Sequence, residues 1–272
     1  MDAETSDSDD GWRMPHRAIH RAARAGDLDG LRRELDAGVN PNHMSESGRP
    51  LTLLCDSVYG YKGPEETRIR GVRILIEAGA NVSADSNYPL YIAAARGNLK
   101  LVQMLLRAGA DARATGSFGW TALHASVGSS SPCGWFDYDG TERCAHRVRS
   151  AFDCAAALLA AGADVNALAH RRTTPLMIVA ETRGNLPRHL KTRLYAVLLR
   201  GGARLDDHVL EEIKIKCDTW SPYLNKVCYA GGWKRYARAH RTRLVATFAP
   251  KLRLPADVIP LVVDFWANVG MY

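Results

Sequence analysis

No run of about 18 apolar residues occurs in this 272-residue chain, so no segment reads as a membrane-spanning helix. The N-terminus lacks the basic region and apolar core of a secretory signal. It reads MDAETSDSDD, with Asp2, Glu4, Asp7, Asp9 and Asp10 and no counter-charge before Arg13, which predicts a disordered acidic tail over residues 1–14. Without a signal, the six cysteines are expected to be reduced thiols and the chain to be intracellular, in cytoplasm or nucleus. The formal glycosylation triplet Asn81-Val82-Ser83 then has no meaning.

Catalytic fingerprints are missing as well. There is no nucleophile elbow, phosphate loop, His-Glu-x-x-His, kinase set or dinucleotide fingerprint, and the expectation is a protein without catalytic residues or cofactor. Cys133, Cys144, His146 and Cys154 fall close together, but their spacing gives no ligand pairs of the zinc-site kind, so no metal is expected. Cys154 is placed at the start of a helix as an ordinary buried thiol. Asp137-Tyr138-Asp139-Gly140 has its glycine too early for a calcium loop, and no acid stands at the required last position.

Acidic residues are absent from Thr219 to Ala256, where eight cations lie: Lys226, Lys234, Arg235, Arg238, Arg241, Arg243, Lys251 and Arg253. The whole chain is only +7, so its basic character belongs to this segment. Trp233, Tyr236, Ala237, His240, Leu244 and Phe248 recur there at helical spacing with the arginines largely off the stripe, which predicts an amphipathic helix with its aromatics turned inward. No nucleic-acid motif accompanies it, so its charge is expected to be a solvated face, with a nucleic-acid-associated factor using this helix as the lesser alternative function, and no membrane is an expected partner.

What the chain does have is an internal repeat. Five starts of similar type occur at Arg17-Ala18-Ile19-His20, Arg49-Pro50-Leu51-Thr52, Tyr88-Pro89-Leu90-Tyr91, Thr121-Ala122-Leu123-His124 and Thr174-Pro175-Leu176-Met177. Closing glycines follow at Gly38, Gly79, Gly109, Gly162 and Gly202. The steps from closing glycine to next start are 11 (38 to 49), 9 (79 to 88), 12 (109 to 121) and 12 (162 to 174), a near-constant register. Proline at a first helical position loses no hydrogen bond. Small residues such as Ala22-Ala23 and Ala93-Ala94-Ala95 allow close helix approach, and Leu31 with Leu35 or Val102 with Leu105-Leu106 form an apolar stripe on a second helix.

This order of features resembles the ankyrin repeat. The resemblance implies an all-α solenoid of about five helix-turn-helix repeats over residues 15–206, followed by a basic helical C-terminal cap over 207–272, and a function in binding partner proteins. It also implies structural roles for His20 and His124, tying neighbouring repeats through backbone hydrogen bonds, with Tyr91 and Met177 standing in that position in repeats three and five. Repeats two, four and five are longer than the plain copies by 9, 20 and 7 residues, as insertions around Tyr59 to Pro64, Ser129 to Arg147 and Gly184 to Arg188. The largest holds Trp135, Phe136 and Tyr138 beside acids, an aromatic set suited to anchoring a partner. Arg113, Ser117 and Trp120, in the finger between repeats three and four, are the second recognition candidates.

From Leu252 the sequence Leu254-Pro255-Ala256-Asp257-Val258-Ile259, continued by Val262 and Phe265, is similar to the opening of an F-box. That resemblance implies docking through Leu254, Pro255, Val258, Ile259 and Val262 to a Skp-type adaptor and a cullin, which would make the chain a substrate receptor of a ubiquitin ligase. A helix covering the last repeat explains the same residues.

Overall fold

The computed structural model describes residues 15–46, 48–56, 62–128, 142–181, 188–205, 209–210, 222–252 and 258. Among them five helix pairs follow one another: α1 (Pro15–Ala25) with α2 (Leu28–Asp36), α3 (Pro50–Cys55) with α4 (Glu65–Glu77), α5 (Ala84–Ala95) with α6 (Leu99–Arg107), α7 (Ala122–Gly128) with α8 (Glu142–Ala160), and α9 (Pro175–Glu181) with α10 (Arg188–Arg200). Two further helices come after them, α11 (Pro222–Tyr229) and α12 (Trp233–Leu252). The helix pairs coincide with the five predicted repeats, and the fold is the all-α ankyrin type.

Helix starts and ends follow from local chemistry. Asp27 caps α2, its carboxylate accepting from the Gly30 N–H at 2.8 Å. Pro50 opens α3, and Thr174 precedes Pro175 with its hydroxyl accepting from the Met177 N–H at 3.3 Å. Second helices end in one recurrent turn. At Gly79, φ is +85°, its N–H bonds the Ile76 carbonyl and the Ala80 N–H reaches back to Leu75. Gly162 repeats this with φ +87° and bonds to Leu159 and, through Ala163, Leu158. Only glycine takes that left-handed position freely, which is why the closing residue does not vary.

The chain divides into two compact units, one of Met1–Pro89 with Arg107–Ala110 and the other of Leu90–Leu106 with Asp111–Tyr272. In the first, α1 packs on α2 and α3, and α4 packs on α2 and α3. Ile19, Leu31, Leu51, Leu54, Val72 and Leu75 are its fully or nearly fully buried centre. Each such side chain stabilises by about 1.5–3 kcal/mol relative to exposure. Gly71 lets α4 approach closely, since a Cβ there would stand 2.9 Å from Leu54 Cδ1. In the second unit, α7 packs on α8 and α9, α10 packs on the same two helices, and α11 pairs with α12. Leu123, Leu158, Leu176, Met177 and Leu198 fill that core, and Arg193 of α10 lies over the Phe152 ring of α8 at 4.6 Å.

Two boundaries differ from the sequence expectation. Pro89 lies inside α5, which begins at Ala84. The short step before repeat three leaves little room for a finger, and Asp85 and Asn87 take left-handed φ values of +53° and +64° there, a conformation their short polar side chains tolerate. Asp85 is fixed by Arg49, whose Nε lies 3.3 Å from its carboxylate, and accepts from the Thr52 hydroxyl at 3.5 Å. The repeat-four insertion is also partly helix. Residues 142–149 extend α8, since Glu142 to Arg149 contains no glycine or proline to stop it. Cys154 accordingly sits well inside α8, not at its start.

Candidate partner-binding fingers

The segments after Gly38, Gly79, Gly109 and Gly162 begin with the same turn. The side-chain oxygens of Asn40, Asn81, Asp111 and Asp164 accept from the N–H groups of Asn42, Ser83, Arg113 and Asn166 at 2.8 to 2.9 Å. After Gly38, Gly109 and Gly162 this aims the residue four places on at the next closing turn. In the first unit the Asn42 amide donates to the Gly79 carbonyl at 3.0 Å and accepts from the Asn81 N–H at 2.6 Å. In the second unit Asn166 does the same with Gly202 and Arg204, at 3.2 and 2.9 Å. Arg113 occupies the equivalent place between them, its Nε donating to the Gly162 carbonyl at 2.8 Å. The recognition candidate Arg113 is therefore also a tie between repeats. The sequence signal for this role is the shared register of 42, 113 and 166, four places after a closing glycine.

The two histidines act as the repeat implies. His20 Nε2 lies 3.0 Å from the His43 carbonyl oxygen. His124 Nε2 lies 3.2 Å from that of Thr173, while its Nδ1 lies 2.8 Å from the Thr121 hydroxyl. Burial pushes the His124 pKa down, against the opposing pull of its bond to Thr173. A neutral ring with its proton on Nε2 donates to Thr173 and accepts the Thr121 N–H on Nδ1 at 3.2 Å.

Within the second unit the fingers end in two short turns, Ser117–Gly119 and His170–Arg172. The first is closed by the Gly116 N–H bonding the Trp120 carbonyl at 2.7 Å, the second by Ala169 bonding Thr173 at 2.9 Å. Trp120 is half-buried. Its ring lies 5.7 Å from that of His124, and a Cβ on Gly128 would meet its Cζ3 at 3.2 Å. Its neighbour Phe118, unremarked in the sequence, is 76% exposed and held at φ +58°. Its ring meets His170 edge-on at 5.9 Å. Leu168 is 53% exposed, and its carbonyl oxygen lies 3.1 Å from where a Gly119 Cβ would stand, so the two fingers touch. Arg171 and Arg172, both exposed, have φ +58° and +57°. Beside them a cleft of about 300 Å³ is lined by Leu168, Arg172, Met177, Arg204 and Val209 among others. Bulky residues in left-handed backbone and a large exposed apolar ring are features that stability alone does not select.

Trp135, Phe136 and Tyr138 lie outside the described residues, as do Leu254, Pro255, Ile259 and Val262. Val258 is helical and half-buried. Of the proposed thiol cluster, Cys133 lies outside the described residues, and only the backbone of Cys144 and His146 is described. Cys154 is buried, which pushes its thiol up to about 12 and keeps it protonated at neutral pH. No helix among the described residues is long and apolar enough to cross a membrane.

Comparison with known proteins agrees with this geometry. The family model for ankyrin repeats matches residues 19–115 and 65–133. A human protein, Ankyrin repeat and SOCS box protein 16, is 31% identical over 163 residues, covering 58% of this chain and 32% of its own length, so the chain spans about a third of that relative. The crystal structure of an ankyrin repeat domain from Acinetobacter baumannii superposes with a TM-score of 0.52 at 23% identity, over 68% of this chain and 81% of that one. Repeat register, closing turns, tied fingers and these matches together show that the chain carries ankyrin repeats.

Proposed function

We propose that the chain binds a partner protein without catalysis, through the fingers of its second unit, acting in cytoplasm or nucleus. Phe118 carries this reading, an exposed aromatic ring on a left-handed turn beside exposed Leu168, with Arg171 and Arg172 as a cationic surround. A buried apolar anchor with a polar rim is the usual form of a binding hot spot. Trp135, Phe136 and Tyr138 add a second aromatic set from the repeat-four insertion, and Arg113 and Trp120 hold the finger that presents Phe118. Capture from cell extract by the full chain and by Phe118→Asn, compared by mass spectrometry, tests the assignment. Partners retained unchanged by Phe118→Asn would remove the finger from the interface.

A second reading makes the chain the substrate receptor of a ubiquitin ligase, with residues 252–272 docking a Skp-type adaptor and cullin. It is favoured by the F-box-like Leu254-Pro255-Ala256-Asp257-Val258-Ile259 and by a relative whose name couples ankyrin repeats to a SOCS box. Truncation after Pro250, with folding verified by circular dichroism, should lose adaptor and cullin while keeping finger-bound partners. Absence of ligase subunits from both samples would leave this segment as a cap.

A further inference from the structure

We propose that the exposed basic face of α11 and α12 binds single-stranded nucleic acid, its cations meeting phosphates and Tyr229 stacking an unpaired base. The proposal stands apart from the finger site. Lys226 on α11 and Lys234, Arg235, Arg238, Arg241 and Arg243 on α12 are all exposed, and no acid occurs in sequence from Thr219 to Ala256. Lys234, Arg238 and Arg241 follow at steps of four and three, which places them along one side of the helix over about 10 Å.

The other side of α12 is taken up by aromatic packing. Tyr236 stacks on His240 at 5.5 Å, meets Tyr223 of α11 edge-on at 5.6 Å and lies 5.9 Å from Trp233. Tyr223 in turn stacks on Tyr195 of α10 at 6.4 Å. The aromatics thus fix the helix with its cations outward. Their field is felt inside the hairpin, where burial, then Arg243 and Lys226, push the His240 pKa down. A single-signed field of this kind attracts polyanions.

Tyr229 decides the class of polyanion. It ends α11 and is 91% exposed, unlike Tyr223, Trp233 and Tyr236, which are half-buried. A helix lying on a membrane surface presents a row of exposed apolar side chains. Tyr229 is the one large exposed hydrophobic among the described residues of these two helices. A lone ring among arginines matches the stacking platform of single-strand binders.

The test uses the full chain and a labelled oligothymidylate of about twenty nucleotides, long enough for one site. Anisotropy titrations between about 50 and 200 mM salt should give an affinity that falls with salt. The triple variant Lys234→Gln, Arg235→Gln, Arg238→Gln should reduce the slope of log K against log salt by about 2, at roughly 0.7 per phosphate contact. Tyr229→Ala should weaken binding by about 5- to 100-fold with its slope unchanged. Circular dichroism confirms that each variant is folded. Preference for duplex over single strand would overturn the stacking role. No binding at about 10 µM protein in low salt, an unchanged slope in the triple variant, or equal displacement by polyglutamate would overturn the proposal, the last in favour of an acidic protein.

Discussion

His124 Nε2 and the carbonyl oxygen of Thr173 lie 3.2 Å apart although 49 residues separate them along the chain. One imidazole so joins the first helix of repeat four to the finger that opens repeat five. Replacement by leucine keeps the volume roughly and removes the ring's bonds, leaving the Thr173 carbonyl only the Ala169 N–H and the Thr121 hydroxyl only the backbone N–H of residue 124. His124→Leu should lower stability by about 1–3 kcal/mol in urea denaturation.

The same residue predicts acid sensitivity. Its folded pKa lies below the ordinary imidazole value of 6.5 because burial disfavours the charged ring. Below pH 6.5 the unfolded chain takes up this proton before the folded chain does, so stability is full above that value and declines as pH falls, by at most about 1.4 kcal/mol per pH unit. Denaturation midpoints measured from pH 7.5 downward should show this decline in the wild type. His124→Leu should lack its share of it.

Arg113 stands where repeats one and four place asparagine. Arg113→Ala removes the bond to the Gly162 carbonyl and should cost about 0.5–1.5 kcal/mol, discounted toward the lower figure by solvent exposure. Arg113→Asn should recover most of the loss, since Asn42 and Asn166 span the same gap at 3.0 and 3.2 Å. Thermal melts of the two variants decide whether register or charge matters here.

Phe118 predicts a conflict between stability and binding. Its left-handed backbone penalises a bulky side chain, and its ring is largely in water. Phe118→Asn should raise stability by about 0.5–1 kcal/mol while weakening partner capture. A variant that loses both stability and binding would make the ring a structural element.

Close packing between repeats four and five is testable at Gly128. A Cβ there would stand 2.8 Å from Ile178 Cγ2 and 3.2 Å from the Trp120 ring, neither of which is the free end of a flexible chain. Gly128→Ala should destabilise by about 1–3 kcal/mol, measured by chemical denaturation.

The repeat was legible because its parts are local. Closing glycines, starting prolines and aliphatic pairs act within one or two turns of helix, so their spacing alone places the five hairpins, and the resemblance to the ankyrin repeat supplies the roles of His20 and His124. The start of α5 was not, because the left-handed Asp85 is held by Arg49 and Thr52, more than 30 residues earlier. Nor was the continuation of α8 into the insertion, because excess length between repeats marks a loop and a lack of helix breakers over residues 142–149 permits a helix without requiring one.

The site divides the same way. By itself the sequence determined the ankyrin repeats, their fingers and the acid-free stretch, all properties of residue type and order. Only the tertiary structure decided that Trp120 turns inward against His124 while Phe118 faces solvent, that Arg113 spends its Nε on Gly162, and that Tyr229 stands exposed beside packed aromatics. Exposure is set by neighbours brought together from distant positions, and no periodicity within one finger or one helix contains that information.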